Sequence, residues 1–343
     1  MSNDLHRDAY AVLLPAFAGL NLDDPTLRFL DSGGVSVLLG ESRSEYVARK
    51  MSAERSTSET AQQFRQLVDE VTARIGCPPL VAVDHELGGI ERLHRLVPAL
   101  PTTEQAHRLN ALEIERHCHL TAAAAREIGV NLFLAPIVDV VTGINPWLHN
   151  RNLGPEASEV SRIACAYVRG IQTAGVVATA KHFPGHHITE NDPALLEAHV
   201  PGTRHDLEAG LSVFKDVIAS GVKAVMAGPA LVPAIDALES SSTSKNVINL
   251  LRNDLGFSGL IISDDLDAPS ILRGKRIEDT AVASLVAGSH LLLVSSEAGL
   301  DSIVAAIVRA VETGVLSQEH LTNAAKKVRA LAREFHAKSS VPR

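Results

Sequence analysis

Val176-Val177-Ala178-Thr179-Ala180-Lys181-His182-Phe183-Pro184-Gly185-His186-His187 is the stretch whose reading decides the fold. Five small or β-branched residues run without a charge, two polar residues close the run, and a Pro-Gly pair turns the chain. A strand that is apolar throughout, rather than alternating, belongs to a parallel sheet covered on both faces. Similar runs occupy 11–14, 35–39, 80–83, 131–135, 224–227, 260–263 and 290–294, which makes eight with 176–180. Between them, residues 60–75, 104–128, 157–174, 206–220, 277–287 and 300–313 carry apolar side chains at spacings of three and four, and a last such segment covers 317–336. Eight strand-helix units suit a closed ring better than an open sheet, so the expected class is α/β, a single (β/α)8 TIM-type barrel over 1–337 with a tail at 338–343. An open doubly wound sheet would want a glycine-rich phosphate turn after its first strand, and no GxGxxG or GxxxxGK[ST] occurs.

The 343 residues are 45% hydrophobic, enough for a substantial core. The formal charge is −8, and no basic run is dense enough to track a phosphate backbone, which argues against nucleic acid. Cys77, Cys118 and Cys165 are an odd number at wide spacing, fitting neither a disulfide framework nor a metal knuckle. The first residues are acidic where a secretory leader would be basic, and no apolar run reaches the roughly 18 residues of a membrane span. These features predict a soluble cytoplasmic protein with no membrane partner, a monomer or a homodimer.

In such a barrel, chemistry sits at the carboxyl ends of the strands. Those ends are unusually polar: Asp84-His85-Glu86, then Asp139, then Lys181-His182, then Asp264-Asp265. Pro184 fixes one φ and Gly185 permits a positive one, which holds Lys181 and His182 at the mouth, where a cation and an imidazole can bind hydroxyls. Three histidines within six positions raise metal binding as a competitor, but the Pro-Gly turn splits them, and no metal is expected. Of Asp264 and Asp265, one can face the axis and the other then serves as a cap or support. A fixed carboxylate there is suited to attack an electrophilic carbon. Trp147, the single tryptophan, can stack on an aglycone or pack as a lid on its own loop. Residues 41–59 read as a long loop that borders the mouth or meets a second subunit.

Five ordered motifs carry a resemblance. Val81-Ala82-Val83-Asp84-His85-Glu86-Leu87-Gly88-Gly89 with Arg92, Ala135-Pro136-Ile137-Val138-Asp139-Val140, Asn145-Pro146 with Asn150-Arg151-Asn152-Leu153-Gly154, Lys181 to His186, and Gly256-Phe257-Ser258-Gly259-Leu260-Ile261-Ile262-Ser263-Asp264-Asp265-Leu266 resemble the glycoside hydrolase family 3 β-N-acetylglucosaminidases. The resemblance implies a retaining exo-glycosidase with Asp264 as nucleophile. It further implies that Asp84, Arg92, Arg151, Lys181 and His182 hold a terminal sugar, and that no cofactor is needed. The expected partner is a small-molecule glycoside, either a cell-wall fragment or a glycosylated metabolite.

The family's acid/base loop is altered. Its Asp-Ser-His dyad follows Lys-His-Phe-Pro-Gly-His-Gly, but here the last Gly is His187 and the dyad histidine falls on Ala194, which cannot transfer a proton. A family histidine after the sixth strand is Pro229. Three readings follow. A neighbour among Glu190, Asp192, His187 and His199 takes over, with Glu190 or Asp192 preferred because retaining glycosidases commonly pair two carboxyl groups. Alternatively the leaving group departs with little acid help. Otherwise the protein binds sugars without catalysis. A metal-dependent barrel hydrolase is the remaining alternative class.

Overall fold

The computed structural model describes residues 2–337, so the expected tail at 338–343 lies outside the described residues. Eight parallel strands follow one another around a ring: β1 (Leu13–Ala18), β2 (Ser36–Gly40), β3 (Leu80–Val83), β4 (Leu132–Phe133), β5 (Val177–Phe183), β6 (Ala224–Ala227), then, after a two-stranded hairpin β7 (Leu231–Val232) and β8 (Asp236–Ser240), β9 (Leu260–Ile262) and β10 (Leu292–Ser295). β10 pairs with β1 in parallel, and the ring closes between β9 and β10 through the parallel bridge Ile262–Leu291 and the bond from Ser263 N–H to Leu291 O, 2.9 Å. β2, β3, β6 and β9 are buried at every position, as their small and apolar, uncharged content requires of strands covered inside and out.

The expected barrel is therefore present, with four local corrections. The first apolar run starts two residues late, because a helix, Ser2–Ala11, extends through Ala11. Asp8 fixes that helix by accepting from Arg329 at 2.6 Å and Thr322 at 3.0 Å, both on the last helix, Gln318–Ala337. The periodic segment 104–128 is two helices, Thr103–Arg108 and Ala111–Glu127, because Asn110 breaks in as an N-cap, its Oδ1 accepting from Leu112 and Glu113. The segment 206–220 opens with a 3₁₀ turn, His205–Leu207, before its helix Glu208–Ala219. Residues 41–59 are not a plain loop: Ser42 caps the helix Arg43–Ala48 and Ser52 caps Ala53–Ser58. No helix among the described residues is long and apolar enough to cross a membrane. Cys77, Cys118 and Cys165 are free thiols.

The helix Ala157–Thr173 crosses Ala111–Glu127 at close range, and Gly170 sets that approach. A Cβ there would meet the Glu115 carbonyl oxygen and stand 2.7 Å from the Cys118 Cβ. Gly170→Val therefore forces the two helices apart, and a loss of about 1–3 kcal/mol should appear as a lower urea midpoint at unchanged m-value.

Candidate functional site

The strand ends converge on a cavity of about 610 Å³ at the C-terminal mouth, bordered by Asp84, Arg151, Lys181, His182, Asp264 and Asp265. Its floor is organised by a buried chain of charges. Lys181 Nζ lies 2.6 Å from Asp84 Oδ1 and 2.7 Å from Glu86 Oε1, and Glu86 receives the Arg151 guanidinium on both oxygens, at 2.6 and 3.0 Å. Burial works against the Lys181 ammonium, but Asp84 and Glu86 outweigh it and raise its pKa. Burial likewise opposes ionisation of Glu86, and Arg151 and Lys181 overcome it, so the carboxylate is held below the usual range. Two cations and two carboxylates balance, which is the condition for burying them together.

Local sequence explains how these side chains are aimed. The segment 84–92 doubles back on itself, with Arg92 N–H donating to Asp84 O and Glu86 N–H to Ile90 O. A Cβ on Gly89 would collide with Glu86 Oε2, so only glycine lets that carboxylate lie over the turn. Arg151 follows Asn150, whose φ is +61°, and the loop carrying it is anchored by Asn145, which accepts from Leu148 N–H and donates to His186 O. Gly185 adopts the expected positive φ, +110°, directly after the Pro184 turn.

Asp139 organises the histidines. Its Oδ2 accepts from His182 N–H at 3.1 Å and from Nδ1 at 2.8 Å, while Oδ1 accepts from His186 N–H at 2.7 Å and from Nδ1 at 3.2 Å. Burial pushes His182 down to about 3 against the pull of Asp139, so the ring is neutral with its proton on Nδ1. Asp139, His182 and His186 are the described residues whose donor atoms approach closely enough to hold a metal, all within 4.8 Å. Both Asp139 oxygens accept from a backbone N–H and lie within hydrogen-bond distance of an imidazole Nδ1, an arrangement that orients the two rings. Trp147 is buried against them, its ring centroid 4.2 Å from that of His182 and 5.4 Å from that of His186, which settles it as interior packing and not an aglycone platform.

Asp264 stands alone among these groups. Its N–H donates to Ser242 Oγ at 2.9 Å, its Oδ1 accepts from Asp265 N–H at 2.8 Å, and its Oδ2 is buried without a partner. Burial raises its pKa to about 6, with the backbone bond, Lys181 and His186 opposing. Asp265 also borders the cavity, but its Oδ1 accepts from Asp267 N–H, the supporting role expected of one member of the pair.

Three sequence-predicted residues are not brought to the cavity. Arg92 is fully buried elsewhere: its guanidinium forks onto Glu59 at 2.7 and 3.1 Å and its Nε donates to Gly40 O, so it braces the end of β2 rather than presenting donors to a sugar. Glu190 is exposed. Asp192 is ion-paired with Arg49 at 2.6 Å and also accepts from Ala194 N–H, so both of its oxygens are engaged away from the cavity. The loop bearing them is fastened by Thr189 N–H to Ile144 O, Val200 N–H to Leu231 O and Ala198 N–H to Ser270 Oγ. Conversely, Glu41 and Tyr46 border the cavity and received no role from the sequence. For Glu41, its place directly after an apolar run was the available signal.

Comparison with known proteins agrees with this geometry. The family model described as the glycosyl hydrolase family 3 N terminal domain matches residues 36–331. A β-hexosaminidase of Stenotrophomonas maltophilia is 31% identical over 254 residues, which is 72% of this chain and 76% of that protein. A β-hexosaminidase of Methylococcus capsulatus is 32% identical over 240 residues, 68% of this chain and 71% of that one. Among solved structures, a glycoside hydrolase family 3 β-N-acetylglucosaminidase from Paenibacillus superposes with a TM-score of 0.87 at 28% identity, covering 99% of this chain. The chain spans 64% of that longer protein. A β-N-acetylhexosaminidase from Beutenbergia cavernae, at 24% identity, shares the fold with a TM-score of 0.84 over 96% of this chain and 98% of its own. The chain belongs to glycosyl hydrolase family 3.

Proposed function

We propose that residues 1–337 form the catalytic domain of an exo-acting, retaining β-N-acetylglucosaminidase that works in the cytoplasm on a small glycoside, without nucleic acid or membrane as partner. The observation that carries this reading is the unpartnered Asp264 Oδ2 in a cavity where Asp84, Arg151 and Lys181 are already engaged in ion pairs. A carboxylate spared from internal bonds keeps a lone pair for the anomeric carbon. Asp84, Arg151, Lys181 and His182 hold the terminal sugar, and the pre-formed ion pairs fix their positions before substrate arrives. Arg92 leaves this set and supports it from behind.

In the first step an Asp264 oxygen bonds to the anomeric carbon while the bond to the aglycone oxygen breaks, and the aglycone departs with the electron pair. In the second, water attacks the same carbon, the ester to Asp264 breaks, and the water proton passes to solvent. With Ala194 in place of a histidine, Glu190 and His199 exposed, Asp192 paired to Arg49 and His187 in a separate cleft beside Asp206, the loop brings none of its four candidate proton donors to the cavity wall. We therefore assign the enzyme to substrates whose leaving group is stable as an anion, because the roughly 10²–10⁴ supplied by general acid catalysis is missing.

Two outcomes test this. Asp264→Asn should abolish release of nitrophenol from nitrophenyl N-acetyl-β-glucosaminide. In the wild-type protein, kcat/KM should fall as the pH drops through about 6, as the carboxylate raised to about 6 takes up its proton; full activity at pH 4 would exclude Asp264 as nucleophile. The second outcome concerns the leaving group. The aryl glycoside should give a burst of nitrophenol followed by slow turnover, with a sugar-Asp264 adduct in the mass spectrum, and the alkyl glycoside should react at least ~10²-fold more slowly. Glu190→Ala and Asp192→Ala should leave the ratio of the two rates unchanged. A selective loss on the alkyl substrate in either variant would restore that residue as the acid.

A further inference from the structure

Glu41 follows β2 directly, borders the catalytic cavity, and keeps its Oε1 enclosed without a hydrogen-bond partner. Its backbone is fixed on both sides. Gly40 O accepts from Arg92 Nε at 3.0 Å, and Ser42 enters a reciprocal cap with Glu45, whose Oε2 accepts from Ser42 N–H at 3.0 Å. The protein thus fixes the backbone of this residue while one carboxyl oxygen, Oε1, is left with no partner inside the chain. An unsatisfied buried acid is destabilising, and its retention at the wall of a binding cavity points to a partner from outside the chain.

We propose that Glu41 is a substrate-holding residue that donates its carboxyl proton to an oxygen of the terminal sugar, beside the hydroxyl held by Asp84. The inference rests on the glycosidase reading above and takes the role that Arg92, turned onto Glu59, leaves open. Glu41 faces Asp84 and Glu86 from the end of β3 and Arg92 from the segment after it. Tyr46, Arg151, Lys181 and Asp264 occupy other parts of the wall. Burial, then Asp84, raise Glu41 to about 8, with Arg92 opposing, so the carboxyl carries its proton at neutral pH and serves as a donor where Asp84 serves as an acceptor.

The test combines two variants with two readouts. Glu41→Ala should raise KM roughly 5- to 100-fold on aryl and alkyl substrates alike with kcat nearly unchanged, the pattern of lost uniform binding. Glu41→Gln, which keeps a neutral donor, should stay near wild type at pH 7. Wild-type kcat/KM should decline above about pH 8 as Glu41 ionises, and Glu41→Gln should remove that decline. Both variants should melt at or above the wild-type temperature, since an unsatisfied carboxyl is gone. The proposal is overturned if Glu41→Ala leaves KM unchanged, if its loss is confined to the alkyl substrate, if Glu41→Gln is as damaging as Glu41→Ala, or if both variants melt well below wild type. Calorimetric binding of free N-acetylglucosamine to wild type and Glu41→Ala separates this result from the functional reading. Equal binding by the two sinks the Glu41 assignment. Absence of nitrophenol release by wild type sinks the hydrolase reading alone.

Discussion

Lys181 between Asp84 and Glu86 is the contact on which the mouth of the barrel depends. A buried ammonium 2.6–2.7 Å from two carboxylates draws the ends of β3 and β5 together across β4, and Glu86 passes the constraint to Arg151 on a long loop that has no strand of its own. None of the four charges could be buried singly, since an unpaired ion in such surroundings loses several kcal/mol of hydration. Together they form a rigid floor whose geometry is independent of substrate. The glycine at 89 and the turn at Pro184-Gly185 are the backbone conditions for this chain, because they let the side chains reach one another without displacing the strands.

Much of this was legible in the sequence. All-apolar runs ending in charge define both the ring and its active edge, since burial on two faces leaves polar residues only where a strand emerges. Thus Asp84, Lys181, His182 and Asp264 were found by position alone. Arg151 was found by resemblance, since nothing in the local pattern of an irregular loop says where it leads. Arg92 was misplaced for a related reason. A motif fixes the backbone position of an arginine, but its long side chain goes to whichever carboxylate is buried nearby, and Glu59 comes from a segment 33 residues away that read as a loop. Glu41 was missed because it is the first residue of that same stretch, and a carboxylate at the start of a Ser- and Arg-rich segment looks like solvated surface until its burial is known.

The acid loop shows the limit of reading one segment in isolation. By counting, Asp192 falls where the family keeps an aspartate, and its spacing is compatible with catalysis. Its fate is set by Arg49, from the capped helix after β2, which stacks 4.4 Å from the centroid of the Tyr46 ring and pairs with Asp192. The helix Arg43–Ala48 and the loop after β5 are therefore tied together by the Arg49–Asp192 pair, and Asp192 serves here as an anchor of that loop.

The division between saturated and unsaturated polar groups follows from this. Asp139 accepts four hydrogen bonds, Glu86 receives a bidentate arginine and Lys181 bridges two carboxylates, so these groups have little capacity left with which to change partners during a reaction. Asp264 and Glu41 are the cavity carboxyls that retain a buried oxygen with no partner, and burial raises both. The separation between about 6 and about 8 gives them opposite states at neutral pH, Asp264 ionised and Glu41 protonated. Burial dominates both carboxyls; the backbone bond from Asp265, Lys181 and His186 offset much of it at Asp264, whereas at Glu41 Asp84 adds more to it than Arg92 removes. The saturated network thus fixes the cavity, and the two unsaturated carboxyls mark where an incoming sugar has interactions to complete.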